Sequence, residues 1–249
     1  MHVARRLHHF GHGLALMAAA LLLGCSSPAP TTRGEVHGAP ASQGELAQSE
    51  LNRAATLAMH ENLRSLMRLA DKLYRRNPSQ WRAGGAASRE QALRRIQTAI
   101  DSHQAWAPLQ GRRDIDAMAY AMSGEFAGDR VAAIVLATAD MLITAHGGKT
   151  SFYLLDGIDP QHVYNAARNV ETAAWILSQR RDARGQPLLL ANEIAPDGTR
   201  NLSFEREFGK IIARLDLLAQ LADERMRRAA INYVQSLLGA GLLQFLPVR

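Results

Sequence analysis

The sequence predicts an all-α domain, a bundle of about five main helices with a small β-hairpin or irregular insertion near 187–203. Two observations point there. Apolar residues recur at spacings of three and four along several long segments, which places them on one face of a helix. Helix-starting and helix-stopping residues then fall where those segments begin and end. No internal repeat at a fixed period is present, which argues against a solenoid of regular units.

The first helix is expected from about Glu45 to Arg76, with Leu51, Ala55, Ala58, Asn62, Leu66, Leu69 and Leu73 on one face. Arg64, Arg68, Asp71, Lys72 and Arg75 form the opposite face, and Asn77-Pro78 stops the helix. Ser88-Arg89-Glu90-Gln91 has the form of a capping box, so a second helix should follow to about Ala105. The third, about Asp114 to Ala145, is the most apolar, and Asp140 is the one charge between Val131 and Ala145. That stretch is too short and too polar to span a bilayer, so it reads as a helix buried on most sides. Gly124 and Gly128 fall one turn apart on it, and close approach of another helix or a buried ring would compensate their low helix propensity.

His146-Gly147-Gly148-Lys149-Thr150 ends that helix, and Asp159-Pro160 opens a fourth with an N-cap acid and Pro at the first helical position. Val163, Ala167, Val170, Ala174 and Leu177 give it a core stripe. Leu188-Leu189-Leu190 and the Ala195-Pro196-Asp197-Gly198 turn suggest the hairpin. The last helix starts near Ser203, with Phe204, Phe208, Ile211, Leu215, Leu218, Ala222, Ala229 and Tyr233 in near-heptad order. Its end, Ile231 to Val248, is apolar on much of its circumference. Core packing is the expectation there, with a helix lying on lipid as the alternative.

The N-terminus carries an address. Arg5 and Arg6 head a segment without acids, Leu14 to Leu23 is apolar, and Leu22-Leu23-Gly24-Cys25 follows. This order resembles the lipobox of bacterial lipoproteins. The resemblance implies that 1–24 is a removed signal peptide, that Cys25 carries covalent lipid, and that the mature chain is held in the cell envelope. Ser26, rather than Asp, after the cysteine implies transport to the outer membrane in this class. A secreted protein with a chance cysteine is the alternative, and twin-arginine export would read the same arginine pair. Residues 25–44, rich in Pro, Gly and small residues, then form a disordered tether with a reach of roughly 25 Å. Residues 45–249 remain as a single helical domain.

Composition narrows the chemistry. Cys25 is the one cysteine of 249 residues, so lipidation there removes disulfides, thiol catalysis and cysteine-bound metal from consideration. Loss of Arg5 and Arg6 with the signal lowers the net charge from +6 to +4. Arginine supplies most of the positive charge, in doublets such as Arg112-Arg113 and Arg227-Arg228, and arginine forks suit phosphate and carboxylate. In the envelope those acids belong to lipid head groups and wall peptides, and nucleic acid is not expected as a partner. Asp71 with Arg75, Glu90 with Arg94, Asp223 with Arg227 and Glu224 with Arg228 equally suit a salt-bridged helix surface.

No catalytic set or metal motif stands out. Gly148-Lys149-Thr150 echoes the end of a phosphate-binding loop, but Ile143 stands where the first glycine is required. The candidate residues are Glu125, Asp129, Asp140, His146, Lys149, Asp156 and His162. Glu125 and Asp129, one turn apart on a helix, would offer two carboxylates for acid/base work. Asp140 in an apolar helix would find an arginine or hold a raised pKa. His146, Asp156, Asp159 and His162 would converge at the connection between the third and fourth helices, in a set that would suit a divalent ion or a hydrolytic site. Phe152 to Ile158 would fold over the core as a lid above a cleft. The leading expectation is an interaction or scaffold module with a protein partner in the envelope. Ligand binding or hydrolysis at 146–162, and binding of an apolar ligand between helices, are the alternatives. Covalent lipid on Cys25 is the one cofactor implied.

Overall fold

Seven α-helices form the framework in the computed structural model, which describes residues 43–194, 197–198 and 200–243. These residues belong to one folded unit. The expected signal segment, Cys25 and nearly all of the expected tether lie outside them. The domain is all-α, as expected, and no described helix is long and apolar enough to cross a membrane.

A 3-10 turn at Gln43–Ala47 precedes α1, Glu50–Arg76, which starts later than the spacing predicts because Ser49 caps it by accepting from the Asn52 amide. Pro78 ends α1 but also occupies the first position of a short extra helix, α2, Pro78–Ala83. Gly84 closes α2, where an added Cβ would stand 3.0 Å from the Asp129 side chain. The Ser88 hydroxyl caps α3, Arg89–Asp101, by accepting from the Gln91 amide at 3.2 Å. The Gln91 side chain reaches back one residue beyond the usual box, to the Ala87 amide at 2.6 Å.

The predicted third helix is two helices, α4 at Asp114–Ala121 and α5 at Arg130–Ala145. Gly128 separates them with φ +144°, a conformation that belongs to glycine, so Gly124 and Gly128 do not share a helix face. Asp129 caps α5 through the Ala132 amide at 3.0 Å. The Arg130 guanidinium turns back and donates to Ala121 O, Ser123 O and Phe126 O at 2.6, 2.8 and 2.9 Å. These bonds satisfy carbonyls released where α4 ends.

From Val131 to Ala139 every residue of α5 is buried, and α1, α2, α3, α4 and α6 pack around it. The Asp159 carboxylate caps α6, Pro160–Gln179, through the Gln161 and His162 amides, and the predicted stripe from Val163 to Leu177 is buried. Leu188 to Leu190 is not part of a strand. Leu189 is buried, and Leu190 exchanges two bonds with the Asn77 side chain at 2.8 and 2.9 Å. The hairpin is minimal, β1 at Glu193–Ile194 paired antiparallel with β2 at Arg200–Asn201. Ala195 and Pro196 of the predicted turn lie outside the described residues.

The last helix, α7 at Ser203–Leu243, is 41 residues long and packs against α1 and α6. Phe204, Phe208, Ile211, Leu215, Leu218 and Ala222 are buried along that contact. Ala229 and Tyr233, expected to continue the stripe, are exposed. Core packing therefore fails for Ile231 to Leu238, and the side chains beyond lie outside the described residues. The reason is length: α1 has 27 residues and α6 has 20, so among the described residues no helix remains beside 223–238 of α7.

Candidate functional site

The connection between α5 and α6 is held by α1 and the residues just before it. Gln48 Nε2 donates to Phe152 O at 2.8 Å, the Thr56 hydroxyl accepts from the Phe152 amide at 3.0 Å, and Leu154 N donates to Ala47 O at 2.8 Å. Asn52, buried on α1, donates to Tyr153 O. These bonds strap the segment down, and Phe152 enters the core while Leu155 is fully exposed. The segment covers the core as expected.

His146 is 4% exposed, its ring 5.7 Å from that of Phe152. Its Nδ1 lies 2.7 Å from Leu142 O and is therefore the protonated nitrogen, while buried Nε2 has no hydrogen-bond partner. Burial holds its pKa below the ordinary imidazole value, against the smaller effect of the Leu142 bond. Lys149 pairs with Asp156, whose other oxygen accepts from the Tyr153 amide at 2.8 Å. The Lys149 bond, followed by the Tyr153 amide, lowers the Asp156 pKa. His162 is exposed at the start of α6, 3.9 Å from Asp159. The predicted convergence of these groups does not form: among the described residues, no three His, Cys, Asp or Glu side chains are placed to hold a metal ion. Their roles are local instead, with His146 buried under Phe152, Lys149 and Asp156 strapping the loop, and Asp159 capping α6.

Glu125 and Asp129 do not share a face either. Glu125 is exposed in the 122–129 connection, whereas Asp129 is 7% exposed and accepts from the Tyr74 hydroxyl at 2.6 Å. Burial raises the Asp129 pKa, against the Tyr74 bond and the Ala132 and Val131 amides, which lower it. Arg130 is spent on backbone carbonyls, and Arg168 pairs with Asp216 and Glu171.

Asp140 is not buried: its side chain is 44% exposed. It does find its arginine, as Arg113 Nε and Nη2 reach its two oxygens at 2.9 and 2.7 Å. Arg113 Nη2 also donates to the Thr144 hydroxyl at 2.7 Å. Asp140 and Thr144, one turn apart, form the polar edge of α5, and that spacing was the available signal.

This ion pair borders a cleft of about 370 Å³ between the end of α3, the 102–113 loop and α5. Ile100, Leu136, Ala139 and Ile143 form its apolar floor, and Trp106 and Leu109 supply a wall. Arg112 stands at its edge, with Cζ 4.0 Å from the Tyr120 ring centroid and Nη1 donating to Gln110 Oε1 at 2.7 Å. Of the seven candidate residues, Asp140 alone lines this cleft. Trp106 and Arg112 were missed as a site because neither belongs to a motif; the arginine doublet was the one hint.

The outer face holds the expected ion pairs in part. Arg75 meets Asp71 at 2.8 Å and Arg228 meets Glu224 at 2.9 Å, but Glu90 pairs with Arg89 and Arg227 with Glu224. No family model, curated protein or solved structure matches this chain.

Proposed function

We propose that this protein is a lipid-anchored protein of the cell envelope, held through Cys25 at the periplasmic face of the outer membrane, whose helical domain is a non-enzymatic interaction module. The observation that carries the second half of this reading is the distal part of α7. From Asp223 to Leu238 every residue is exposed except half-buried Glu224, and Ile231, Tyr233, Val234, Leu237 and Leu238 are each at least 40% exposed. A helix of this length projects about 24 Å at 1.5 Å per residue.

The apolar side chains cluster on one side, with Asn232, Gln235 and Ser236 on the other. Lysine and arginine are absent from 229–238, which disfavours an anionic lipid surface and favours the apolar groove of a protein partner. Asp129, Asp140 and Asp156 have structural partners, which supports binding rather than hydrolysis. The lipobox resemblance at Leu22 to Cys25 supports the anchor.

Two measurements test the two halves. Intact mass of membrane-extracted protein should show an acylated N-terminus at Cys25, lost in Cys25→Ala; an unmodified chain starting elsewhere overturns the anchor. A photo-crosslinking residue at position 237, in the full chain in intact cells, should yield one discrete protein adduct. That adduct should disappear with Tyr233→Asp and be missing when the probe sits at exposed position 175. Adducts to lipid, to a second copy, or equally from both positions overturn the interaction reading.

A further inference from the structure

We infer that the cleft between α3, the 102–113 loop and α5 is a binding site for small amphipathic carboxylates, with the apolar body on Ile100, Trp106, Leu136 and Ile143 and the acid at Arg112. Its volume of about 370 Å³ falls within the range of small-molecule pockets, which combine apolar walls with a few placed polar groups. Here the polar lining groups are few: Arg112, Arg113 and Asp140, with His103 and Gln104 from the same loop.

The charge at the edge selects an anion. Both oxygens of Asp140 are engaged by Arg113, so this carboxylate is satisfied and does not call for a cationic ligand. Arg112 is different. The one described hydrogen bond of its guanidinium goes to the neutral Gln110 side chain, and Cζ lies 4.0 Å from the Tyr120 ring centroid. A guanidinium carries five N–H donors, so Arg112 retains a fork for a carboxylate while the aromatic ring limits its freedom. The Arg113 to Asp140 pair is the fixed post beside it, held additionally by Thr144.

A second observation concerns the backbone. The non-glycine residues with positive φ among those described are His103, Gln110 and Asp114, at 50°, 54° and 51°. All three lie in the chain that frames this cleft. Such conformations persist where surrounding structure imposes them, and they gather at binding and catalytic sites. His103 and Gln110 flank the segment that carries Trp106 and Leu109, and Asp114 follows Arg113 at the start of α4. The inference needs neither the lipid anchor nor the α7 arm.

The probe is 4-phenylbutyrate, with 4-phenylbutanol and 4-phenylbutylamine as neutral and cationic matches of the same body, titrated into the full chain by ligand-observed NMR. The acid should bind at least tenfold more tightly than either match. Arg112→Gln, at an exposed position, should weaken the acid roughly tenfold and leave the alcohol unchanged. Ala139→Leu, which fills the floor, should weaken both. Equal binding of acid and alcohol, no effect of Arg112→Gln, or no saturation by about 10 mM overturns the assignment. Because Arg112 is exposed and its replacement leaves the core intact, the result stands even if Ala139→Leu does not fold.

Discussion

The Tyr74 hydroxyl donates to Asp129 Oδ2 across 2.6 Å, joining the last turn of α1 to the cap of α5. The other Asp129 oxygen accepts from Ala132 N, so one buried carboxylate both starts the central helix and ties it to its neighbour. Tyr74→Phe removes a donor from a buried acceptor and should destabilise the domain by about 1–3 kcal/mol, read by urea denaturation. A change below about 0.5 kcal/mol would show that the tie contributes nothing.

The same residue sets a pH dependence. Burial raises the Asp129 pKa in the folded state above its unfolded value. Its contribution is therefore fully present below the ordinary carboxylate range and is lost as pH rises through the raised folded value. Asp129→Asn keeps a side-chain oxygen for the cap but cannot ionise. The melting temperature of the variant relative to wild type should climb between acid and neutral pH; a constant difference would contradict the assignment.

His146 acts in the opposite direction. Burial lowers its pKa, so its contribution is present above the ordinary imidazole value and is lost as pH falls through the lowered folded value. His146→Leu should melt lower at neutral pH, because the bond to Leu142 O is lost, yet lose less stability than wild type on acidification to about pH 5. Parallel melting curves for the two proteins would refute this.

Gly128 and Gly124 should respond differently to alanine. Gly128 holds φ +144°, so Gly128→Ala should cost about 1–3 kcal/mol from backbone strain. An added Cβ at Gly124 meets nothing within 4 Å, and Gly124→Ala should leave stability within about 0.5 kcal/mol. Equal losses at both positions would restore the continuous helix that the spacing predicts.

The two halves of α7 give a further contrast. Leu218 is 3% exposed and Leu237 is 56% exposed. Leu218→Ala should cost about 2–5 kcal/mol, whereas Leu237→Ala should stay within about 0.5 kcal/mol in the isolated protein. A large loss at Leu237 would mean that the distal helix packs on its own domain.

Much of the helical framework was legible because its signals are local. Ser88 and Asp159 cap the helices that their hydroxyl and carboxylate announce, and the stripes on α6 and as far as Ala222 on α7 are buried, as is that on α1 apart from half-buried Leu51 and Ala58. The break between α4 and α5 was hidden because Gly-Asp-Arg reads equally as helix interior or as stop and cap. Only the left-handed backbone of Gly128 and the return of Arg130 to the α4 carbonyls resolve it.

By itself the sequence determined the all-α class and the helix starts capped by Ser88 and Asp159, since these depend on neighbours a few residues apart; the lipobox resemblance at Cys25 is likewise a local pattern. Tertiary structure decided what each polar group meets. Asp140 stands at the surface because Arg113, 27 residues away, crosses its edge of α5. Asp129 is buried because Tyr74, 55 residues away, reaches it. Residues 223–238 of α7 are uncovered by the described residues because α1 and α6 are shorter than α7. Burial and pairing are set by contacts between segments remote in the chain, and helical periodicity reports which face is apolar without reporting whether anything lies against it.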